Sequence, residues 1–467
     1  MRENVRVSAI LTLNIRIANT FGLKTVKITI CPRGLYVCCA QCNYNGCGVF
    51  NMRCQKRRYY LTIYLHGHVE GIVKIIRSYK MSYSEIEEIA LTQRLVQIES
   101  TDPGVGEGAM ARFVCEWLSR TGAEVARESV FPGRDNIVAT LKGGDVSHNL
   151  VYICHMDTVP IGAGWTCDPF AAEIRDGKIY GRGSCDMKSG LASAMIAFRE
   201  IARSGAHLKH DFKFIATVDE EFTMKGADQA VRGGHITCNS YVLDAEPTNG
   251  LIKASHKGKV WFRLSSRGVT AHASTPELGS DAVAAMAEII SAINRRTAAL
   301  PPHEEMGRAS AVFAGISGGS DTYIVPDSCT ATVDMRIVPP VTEDQAIELV
   351  RDSIREGCAK VPGTSCEVEV TARRPYIERN EDSYLLAKLR AATERVTGKS
   401  VRTGFFPGYT DTAVASALTG CRDCMSYGPG DLALAHKPDE YVPCEDITRC
   451  TRVMTELAKS ILIEGNN

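Results

Sequence analysis

The stretch VYICHMDTVP, residues 151–160, places two ionisable side chains directly after an apolar, β-prone run. The run from Leu150 to Cys154 is typical of a strand in a sheet that is covered on both faces. His155 and Asp157 follow two positions apart, so they share one face if the extended geometry continues. A carboxylate beside an imidazole can fix the ring orientation that a metal ligand needs. Taken alone, however, a His-x-Asp pair is more commonly a solvent-exposed strand end than a metal site.

Helical and strand patterns alternate on both sides of this stretch. Helices are predicted near 84–99, 107–121 and 187–204, and strands near 136–141, 149–155, 212–218 and 240–246. This order predicts an α/β fold with parallel strands, whose functional sites gather at the carboxyl ends of the strands.

The pattern changes between about 255 and 374. The segments VWFRLSSRG and CTATVDMRIVP alternate like antiparallel strands, and a helix is predicted between them near 281–295. Helices near 383–397 and 445–463 then return to the first pattern. We therefore predict a catalytic domain formed by 81–254 and 375–467, interrupted by a smaller α+β domain at 255–374.

The composition is that of an ordinary globular protein. The 467 residues have no net charge, and 44% of them are hydrophobic. Residues 1–80 hold 13 Lys and Arg against two acidic residues, so the other 387 hold 41 against 52 and are mildly acidic. An acidic body does not favour a nucleic-acid surface. Because no apolar run reaches the ~18–20 residues of a membrane span, and Asn14 and Arg16 interrupt the apolar amino terminus, we expect a cytoplasmic protein without membrane contact.

The first 80 residues differ from the rest of the chain. They are basic and contain six of the 18 cysteines, but no repeated Cys-x-x-Cys pair with partner histidines, so their spacing does not favour a zinc finger. From Met81 the sequence MSYSEIEEIALTQRLVQI combines a capping-box pattern at Ser84 and Glu87 with helical spacing. We predict that the functional domain starts near Met81 and that 1–80 is an atypical extension or reflects a misassigned start.

Acidic clusters end each strand of the predicted parallel sheet. After HMD at 155–157 come GRGSCDMKSG at 181–190, DEE at 219–221 and DAEPT at 244–248, and a late histidine stands at His436. Two imidazoles and several carboxylates at one sheet edge would be costly without a cation. Zn²⁺, Co²⁺ and Mn²⁺ take these ligands, and a bridging carboxylate can hold two ions about 3.5–4 Å apart. The sequence therefore predicts a dinuclear metal site.

Six motifs in this order make the chain resemble the M20 family of metallopeptidases and deacylases. They are HMDTVP, GRGSCDMKSG, TVDEE, DAEPT, GVTAHASTPELG and AHKPDEYV, and the similarity covers residues 81–467. Within the family the chain is most similar to acetylornithine deacetylase and succinyl-diaminopimelate desuccinylase. The resemblance implies a three-layer α/β/α zinc-peptidase-like catalytic domain. It also implies that the insertion at 255–374 is a dimerisation (lid) domain and that the protein is a homodimer.

The resemblance also implies five metal ligands. By motif, His155 and Glu246 would bind the first ion, Glu221 and His436 the second, and Asp186 would bridge the two. The implied cofactor is a pair of divalent ions, zinc first, with cobalt or manganese as alternatives.

Three residues beside these ligands have implied or competing roles. Asp157 would orient His155, and Asp244 is the nearest alternative to Glu246 as a ligand. Glu220 would be the general base: two divalent ions bring the pKa of a shared water near neutrality, since one zinc alone lowers it to about 7. Glu220 would take that proton and return it to the leaving amine. The implied reaction is hydrolysis of a linear amide.

The motif GVTAHASTP, which contains His272, lies in the insertion. In the family, the matching histidine reaches into the partner subunit's active site and hydrogen-bonds the substrate oxyanion. We therefore expect His272 to contribute to turnover more than to metal binding.

The motifs indicate substrate-binding residues less clearly than they indicate metal ligands. Arg336, in VDMRIVP, is the candidate to bind a substrate carboxylate, because Arg grips carboxylates in bidentate fashion; the alternative is a pair with Asp334. Thr410 and Asp411, in GYTDTA, match the Gly-Thr-Asp turn that lines the pocket in the family. Tyr323 stands where many members have Asn, which leaves recognition of the substrate backbone open there.

Three functions are compatible with these motifs. The first is an N-acyl-amino-acid deacylase acting on acetylornithine, succinyl-diaminopimelate or a similar small molecule. The second is a di- or tripeptidase or a carboxypeptidase of the same family, and the third is a catalytically silent metal-binding scaffold. The presence of all five implied ligands and of the base disfavours the scaffold.

Overall fold

The structure, a computed structural model, describes residues 83–463 throughout and the backbone of six strands within residues 11–80. The chain divides into two compact units, Met1–Ile86 and Glu87–Asn467. The cysteine side chains of residues 1–80 lie outside the described residues. The first unit contains two antiparallel three-stranded sheets, formed by β1 (Leu11–Asn19), β2 (Gly22–Cys31) and β3 (Gly34–Cys38), and by β4 (Gly48–Cys54), β5 (Tyr59–Leu65) and β6 (Arg77–Lys80).

The second unit alternates helices and strands. Its helices are α1 (Glu87–Val96), α2 (Gly108–Ser119), α3 (Lys188–Ser204), α4 (Lys225–Arg232), α5 (Ala282–Ala298), α6 (Glu343–Lys360), α7 (Tyr384–Thr397), α8 (Asp411–Thr419) and α9 (Cys444–Leu462). Its strands are β7 (Glu124–Phe131), β8 (Arg134–Leu141), β9 (Gly143–His155), β10 (Ile174–Arg175), β11 (Lys178–Tyr180), β12 (Leu208–Thr217), β13 (Ser240–Pro247), β14 (Ile252–His256), β15 (Gly258–Arg267), β16 (Ser310–Gly318), β17 (Ser328–Ile337), β18 (Ser365–Arg374), β19 (Thr403–Phe406), β20 (Cys424–Gly428) and β21 (Tyr441–Pro443).

An eight-stranded sheet forms the centre of this unit, in the order β19-β14-β20-β13-β9-β12-β8-β7. Strand β9 pairs in parallel with β12 and β13, and β13 with β20. The expected parallel arrangement is wrong towards both edges: β8 runs antiparallel to β12 and β7 antiparallel to β8, and on the other side β14 runs antiparallel to β20. Only Lys142 separates β8 from β9, so the chain must reverse there, whereas parallel strands need a long crossover.

Strand β9 is buried on both faces, as its sequence predicts. Leu150, Tyr152 and Cys154 belong to the larger core, to which α1, α2, α3, α7 and α9 contribute. Val151 and Ile153 face the opposite way and pack with residues of α4 and α8. The catalytic part is therefore a three-layer α/β/α structure, in agreement with the fold class expected from the sequence.

The insertion has its own sheet and core. The sheet is antiparallel, in the order β16-β17-β15-β18, and α5 and α6 pack on one of its faces. VWFRLSSRG and CTATVDMRIVP form β15 and β17, which pair antiparallel as predicted. The two connections to the catalytic part run side by side, because His256 and Ile377 exchange backbone hydrogen bonds of 2.9 and 3.0 Å. The predicted domain boundaries at 81, 255 and 374 stay predictions.

Two further observations concern residues 83–463. Helix α1 begins at Glu87, later than predicted, because Tyr83–Glu85 forms a short 3₁₀ turn ahead of it. Every cysteine in this part of the chain is a free thiol, and no helix here is long and apolar enough to cross a lipid bilayer.

Candidate active site

Five predicted metal ligands meet at the carboxyl end of the central sheet. His155 is the last residue of β9, and Glu246 lies near the end of β13. Glu221 follows β12, and Asp186 lies in the loop that enters α3. His436 comes from the loop before β21 and is the most solvent-exposed of the five, with 51% of its side chain accessible. The doubly wound topology thus gathers residues that are far apart in sequence.

The carboxylate of Asp186 lies between the two histidines. Its Oδ1 is 3.1 Å from His155 Nε2, and its Oδ2 is 3.5 Å from His436 Nε2. On the outer sides, Glu246 Oε1 is 3.6 Å from His155 Nε2, and Glu221 Oε2 is 3.0 Å from His436 Nε2. Each oxygen of Asp186 therefore faces a different imidazole, which is the arrangement that a bridging carboxylate requires.

The charges of this cluster call for cations. Burial raises the pKa of Glu220 and of Glu246 well above the usual range of a carboxyl group, and neighbouring carboxylates add to the rise. Burial acts in the same direction on Asp186, but hydrogen bonds with His155 and His436 outweigh it and lower the pKa. One oxygen of Glu221 is buried without a hydrogen-bond partner among the described residues. These donors fit two divalent ions, which would neutralise the carboxylates and ligate the unpaired oxygen.

The geometry favours Glu246 over Asp244 as a ligand. Asp244 accepts a hydrogen bond of 3.0 Å from the Thr412 hydroxyl, and its other oxygen lies near the backbone N–H of Glu246. No contact with His155 is found for Asp244 within the described residues, whereas Glu246 lies 3.6 Å from that ring.

The carboxylate of Asp157 holds the backbone of the two adjacent glutamates. It accepts hydrogen bonds from the backbone N–H groups of Glu220, at 3.2 Å, and Glu221, at 3.0 Å. His155 Nδ1 lies 2.9 Å from the backbone oxygen of Asp157, whereas the Asp157 carboxylate lies 3.7 Å from the same nitrogen. Because a carbonyl oxygen only accepts, Nδ1 carries a proton, and Nε2, which hydrogen-bonds Asp186 in this structure, is the nitrogen that would bind metal. Burial raises the pKa of Asp157 to about 7.

A buried ion pair fixes the loop that carries Asp186, and sequence reasoning missed it. Glu440 Oε1 accepts the backbone N–H groups of Cys185, at 2.8 Å, and Asp186, at 3.0 Å. Its Oε2 pairs with Arg182 at 2.5 Å, and both side chains are almost completely buried. Glu440 stands in the AHKPDEYV motif, four residues after His436, so the signal was in a stretch already marked for another reason.

The variant Glu440→Gln is expected to lower both stability and metal affinity. A buried guanidinium left without its carboxylate costs about 3–5 kcal/mol, so the free energy of unfolding should fall by roughly that amount. Because the Asp186 backbone loses a charged anchor, bound metal measured after dialysis should fall as well. Urea unfolding and elemental analysis check the two effects, with Glu445→Gln on the exposed side of α9 as control. An unfolding free energy equal to wild type would contradict the assigned role.

Thr410 and Asp411 are buried near Glu220 rather than open to solvent. Thr410 Oγ1 lies 3.1 Å from the ring of His256, and Asp411 accepts a 2.5 Å hydrogen bond from Thr217. Burial raises the pKa of Asp411 to about 7, and its charge contributes to the raised pKa of Glu220. These two residues therefore support the floor of the site.

Three cationic side chains lie in a row across the insertion sheet, at the end where it joins the catalytic part. Lys259 of β15 is opposite Arg336 of β17 and Arg374 of β18. Arg336 forms a bidentate pair with Asp334, at 2.9 Å for both contacts, which is the alternative left open by the sequence. Arg374 lies 3.7 Å from a carboxylate oxygen of α4.

Lys259 is the member of this row without a carboxylate partner within the described residues. Its side chain is buried, and its Nζ lies over the rings of Trp261, at 4.4 Å, and Tyr409, at 5.9 Å. Burial lowers its pKa to about 8, and the nearby charge of Glu220 opposes that shift. Sequence reasoning missed Lys259, because a lysine at a strand start carries no signal of burial.

His272 lies in an exposed loop of the insertion. Its Nδ1 is 2.8 Å from the hydroxyl of Ser274, and it forms an isolated bridge with Ile324, beside Tyr323. Within residues 83–463 of this chain, no contact joins His272 to the metal ligands. Exposed large apolar side chains accompany it on the insertion: Val269, Leu278, Val312, Ile316 and Tyr323.

Proteins of known sequence and proteins of known structure are similar to this chain. A probable succinyl-diaminopimelate desuccinylase from Staphylococcus epidermidis is 25% identical over 390 residues, covering 77% of this chain and 94% of the relative. An acetylornithine deacetylase from Proteus mirabilis is 27% identical over 381 residues, covering 78% and 94%. Among solved structures, a tripeptidase from Staphylococcus aureus has a TM-score of 0.68 at 21% identity, covering 80% of this chain and 98% of that one.

A second solved structure has a similar fold. A dinuclear metal-binding peptidase of the M20 family from Bacillus subtilis has a TM-score of 0.61 at 18% identity, covering 81% of this chain and 98% of that one. Residues 151–460, about two thirds of the sequence, match peptidase family M20/M25/M40. The chain therefore belongs to peptidase family M20/M25/M40 and is a metal-dependent hydrolase of amide bonds.

Proposed function

We propose that this protein hydrolyses the amide bond of an N-acyl amino acid, releasing a carboxylic acid and a free amine. The observation that carries the proposal is the position of Asp186 between His155 and His436, with Glu221 and Glu246 on the outer sides. That set fits two divalent ions, zinc first by its imidazole and carboxylate donors, with cobalt or manganese as alternatives. Two similar proteins are named as deacylases, a probable succinyl-diaminopimelate desuccinylase and an acetylornithine deacetylase.

The chain's own residues supply the proton transfer. When bound, two divalent ions supply Lewis acidity, which acidifies water and polarises the substrate carbonyl. Glu220 is buried beside this centre, and its backbone is fixed by the Asp157 carboxylate. Its raised pKa suits a group that accepts a proton from water and later returns it to the leaving amine. The amine can then depart in neutral form, so the two steps complete one hydrolysis.

The row of cations suits a substrate that carries a free carboxylate near the scissile amide. Lys259 is close enough to Glu220 for their charges to interact, and it lacks an anionic partner within the described residues. A buried, unpaired ammonium group is costly, and a substrate carboxylate would offset that cost. We assign this role to Lys259, with Arg336 adjacent to it on β17.

A homodimer formed through the insertion accounts for the position of His272. Its loop is exposed and lies beside apolar side chains that a partner would cover. In a symmetric dimer, the same patch meets its own copy, so each insertion can approach the opposite active site. His272 would then donate a hydrogen bond to the developing oxyanion of a substrate bound by the partner.

A substrate panel tests the proposed function and the role of Lys259 together. The metal-loaded enzyme should hydrolyse N-acetyl or N-succinyl amino acids with a free carboxylate faster than their carboxamides and faster than dipeptides. In Lys259→Met, kcat/KM for the carboxylate substrate should fall by about 10- to 100-fold, since a charged hydrogen bond contributes about 1.5–3 kcal/mol. For the carboxamide substrate, kcat/KM should change little in this variant. Lys257→Met, whose ammonium group binds the backbone oxygen of Arg308, is the matched control.

Other outcomes point to the alternatives. Preferential cleavage of di- or tripeptides would replace the deacylase by a peptidase, the function of the structurally similar S. aureus protein. Absence of hydrolysis across the panel with two ions bound would support a metal-binding scaffold. Equal losses on the carboxylate and carboxamide substrates would refute the role of Lys259.

A further inference from the structure

A second group of metal-ligating side chains lies far from the catalytic centre, near the amino ends of β9 and β12. Asp145, His148 and His210 each offer one ligand atom, and these atoms all lie within 4.8 Å of one another. In the sheet, His210 is opposite Asp145, whereas Thr217 is opposite the metal ligand His155. The eight residues from His210 to Thr217 span roughly 23 Å of extended strand. The group is therefore separate from the active site.

A bulge in β9 brings the three side chains together. The pairing register shifts between His210 and Asp211 of β12, which leaves extra residues in β9 after Asp145. Bulges redirect side chains, and here the ring of His148 lies with its centroid 5.5 Å from that of His210. Tyr241 of β13 stacks on His148, with a centroid distance of 5.4 Å and an interplanar angle of 13°. The imidazole of His148 is thus held in place by a neighbouring strand.

The close approach of the two strands depends on a glycine. A Cβ atom at Gly143 would lie 2.2 Å from the backbone of His210, so no other residue fits without moving the strands. The Gly143 N–H also donates a 2.9 Å hydrogen bond to Asp211. The backbone around the three ligands is therefore fixed without an ion.

The donor set and spacing are those of a zinc-class ion. Asp145 Oδ2 is 3.3 Å from His210 Nδ1. Bonds of about 2.0–2.1 Å around a tetrahedral ion place neighbouring ligand atoms roughly 3.3 Å apart. His210 Nδ1 also lies 3.2 Å from the backbone oxygen of Asp145, a contact that an ion bound by Nδ1 would replace. Asp145 is exposed and His148 half-buried, so solvent and a cation can reach the group.

A simple ion pair accounts for the group less well. An ion pair of Asp145 and His210 does not involve His148, whose Nδ1 lies 2.9 Å from the Ser147 hydroxyl. A divalent cation instead makes use of all three side chains, since it binds neutral imidazoles and an ionised carboxylate.

We propose that Asp145, His148 and His210 bind one divalent cation of the zinc class, independently of the catalytic ions. A solvent molecule completes the coordination. The bound ion ties the bulge of β9 to β12 at the end of the sheet opposite the active site, and its role is structural.

Metal counting on the full-length protein tests this site. Wild type, His148→Gln and Asp145→Asn are equilibrated in buffers of fixed free zinc, and bound zinc is measured by elemental analysis. Each variant should hold one ion fewer than wild type, with affinity for that ion weakened by more than about 100-fold, because loss of an outer-shell partner alone costs 10- to 100-fold. His207→Gln, an exposed histidine three residues before His210, is the matched control and should retain all ions.

Cobalt substitution distinguishes this site from cysteine ligands elsewhere in the chain. The spectrum of the cobalt-loaded wild type minus that of each variant should show ligand-field absorption without a thiolate charge-transfer band. Hydrolysis by the variants should match wild type, since the group lies far from the catalytic ligands. Equal zinc content in wild type and both variants, or a thiolate band in the difference spectrum, would overturn the proposal. The zinc counts and the cobalt spectra do not depend on finding a substrate.

Discussion

Replacing Glu220 by Gln is expected to lower kcat by about 10²- to 10⁴-fold and to leave bound metal unchanged. Gln has nearly the same shape but accepts no proton, so the variant loses the general base while the pocket is retained. The backbone N–H of residue 220 still donates to Asp157, which preserves the local geometry. Steady-state kinetics on the preferred acyl-amino acid and elemental analysis of the same preparation provide the measurement.

Two controls separate proton transfer from metal binding. Glu221→Gln removes a carboxylate that lies 3.0 Å from His436, so it should lose metal together with activity. Glu116→Gln, on the exposed side of α2, should match wild type in both. If Glu220→Gln keeps activity within tenfold of wild type, or loses metal as Glu221→Gln does, the assignment of the base is wrong.

The variant His272→Ala is expected to lower kcat by about 10²- to 10³-fold, the usual effect of removing one oxyanion donor. The metal content should stay that of wild type, because His272 has no contact with the ligands in its own chain within residues 83–463. The residue is exposed, so truncation leaves no cavity and the fold should be unaffected. Kinetics, metal analysis and thermal unfolding measure the three quantities.

Co-expression of His272→Ala with Glu220→Gln shows whether the histidine acts on the partner. In a heterodimer, the chain that retains Glu220 receives His272 from the other chain, so one of two sites is complete. Random pairing should then restore about a quarter of wild-type activity. Co-expression of His272→Ala with the double variant Glu220→Gln/His272→Ala should restore none. Activity no higher than the sum of the separate variants would show that His272 does not act in trans.

The sequence was sufficient for the parts of the site that depend on short-range order. His155, Glu221 and Glu246 follow or end strands of the sheet, and parallel topology brings such ends to one edge. The buried run before His155 indicated a strand covered on both faces, and the structure confirms this. Local pattern and topology agree here, so a cluster of imidazoles and carboxylates could be inferred, whereas the role of each residue came from the family resemblance.

What the sequence did not reveal depends on contacts between distant segments. Glu440 is 254 residues from Asp186, and only the folded chain shows that it holds that loop. Lys259 is buried beneath the rings of Trp261 and Tyr409, and Tyr409 comes from a distant segment of the chain. Arginine commonly binds carboxylates, but the guanidinium group of Arg336 already pairs with the neighbouring Asp334. Burial and pairing of charges are tertiary properties, which residue type alone does not determine.

The carboxylate of Asp157 separates two kinds of change in this site. It holds Glu220 and Glu221 through their backbone N–H groups, so the relative position of these residues does not depend on their own side chains. A substitution at Asp157 is therefore expected to disturb the proposed base and the proposed metal ligand at once. A change of substrate preference is expected instead from substitutions at Lys259, which we propose meets the substrate carboxylate and which makes none of these backbone contacts.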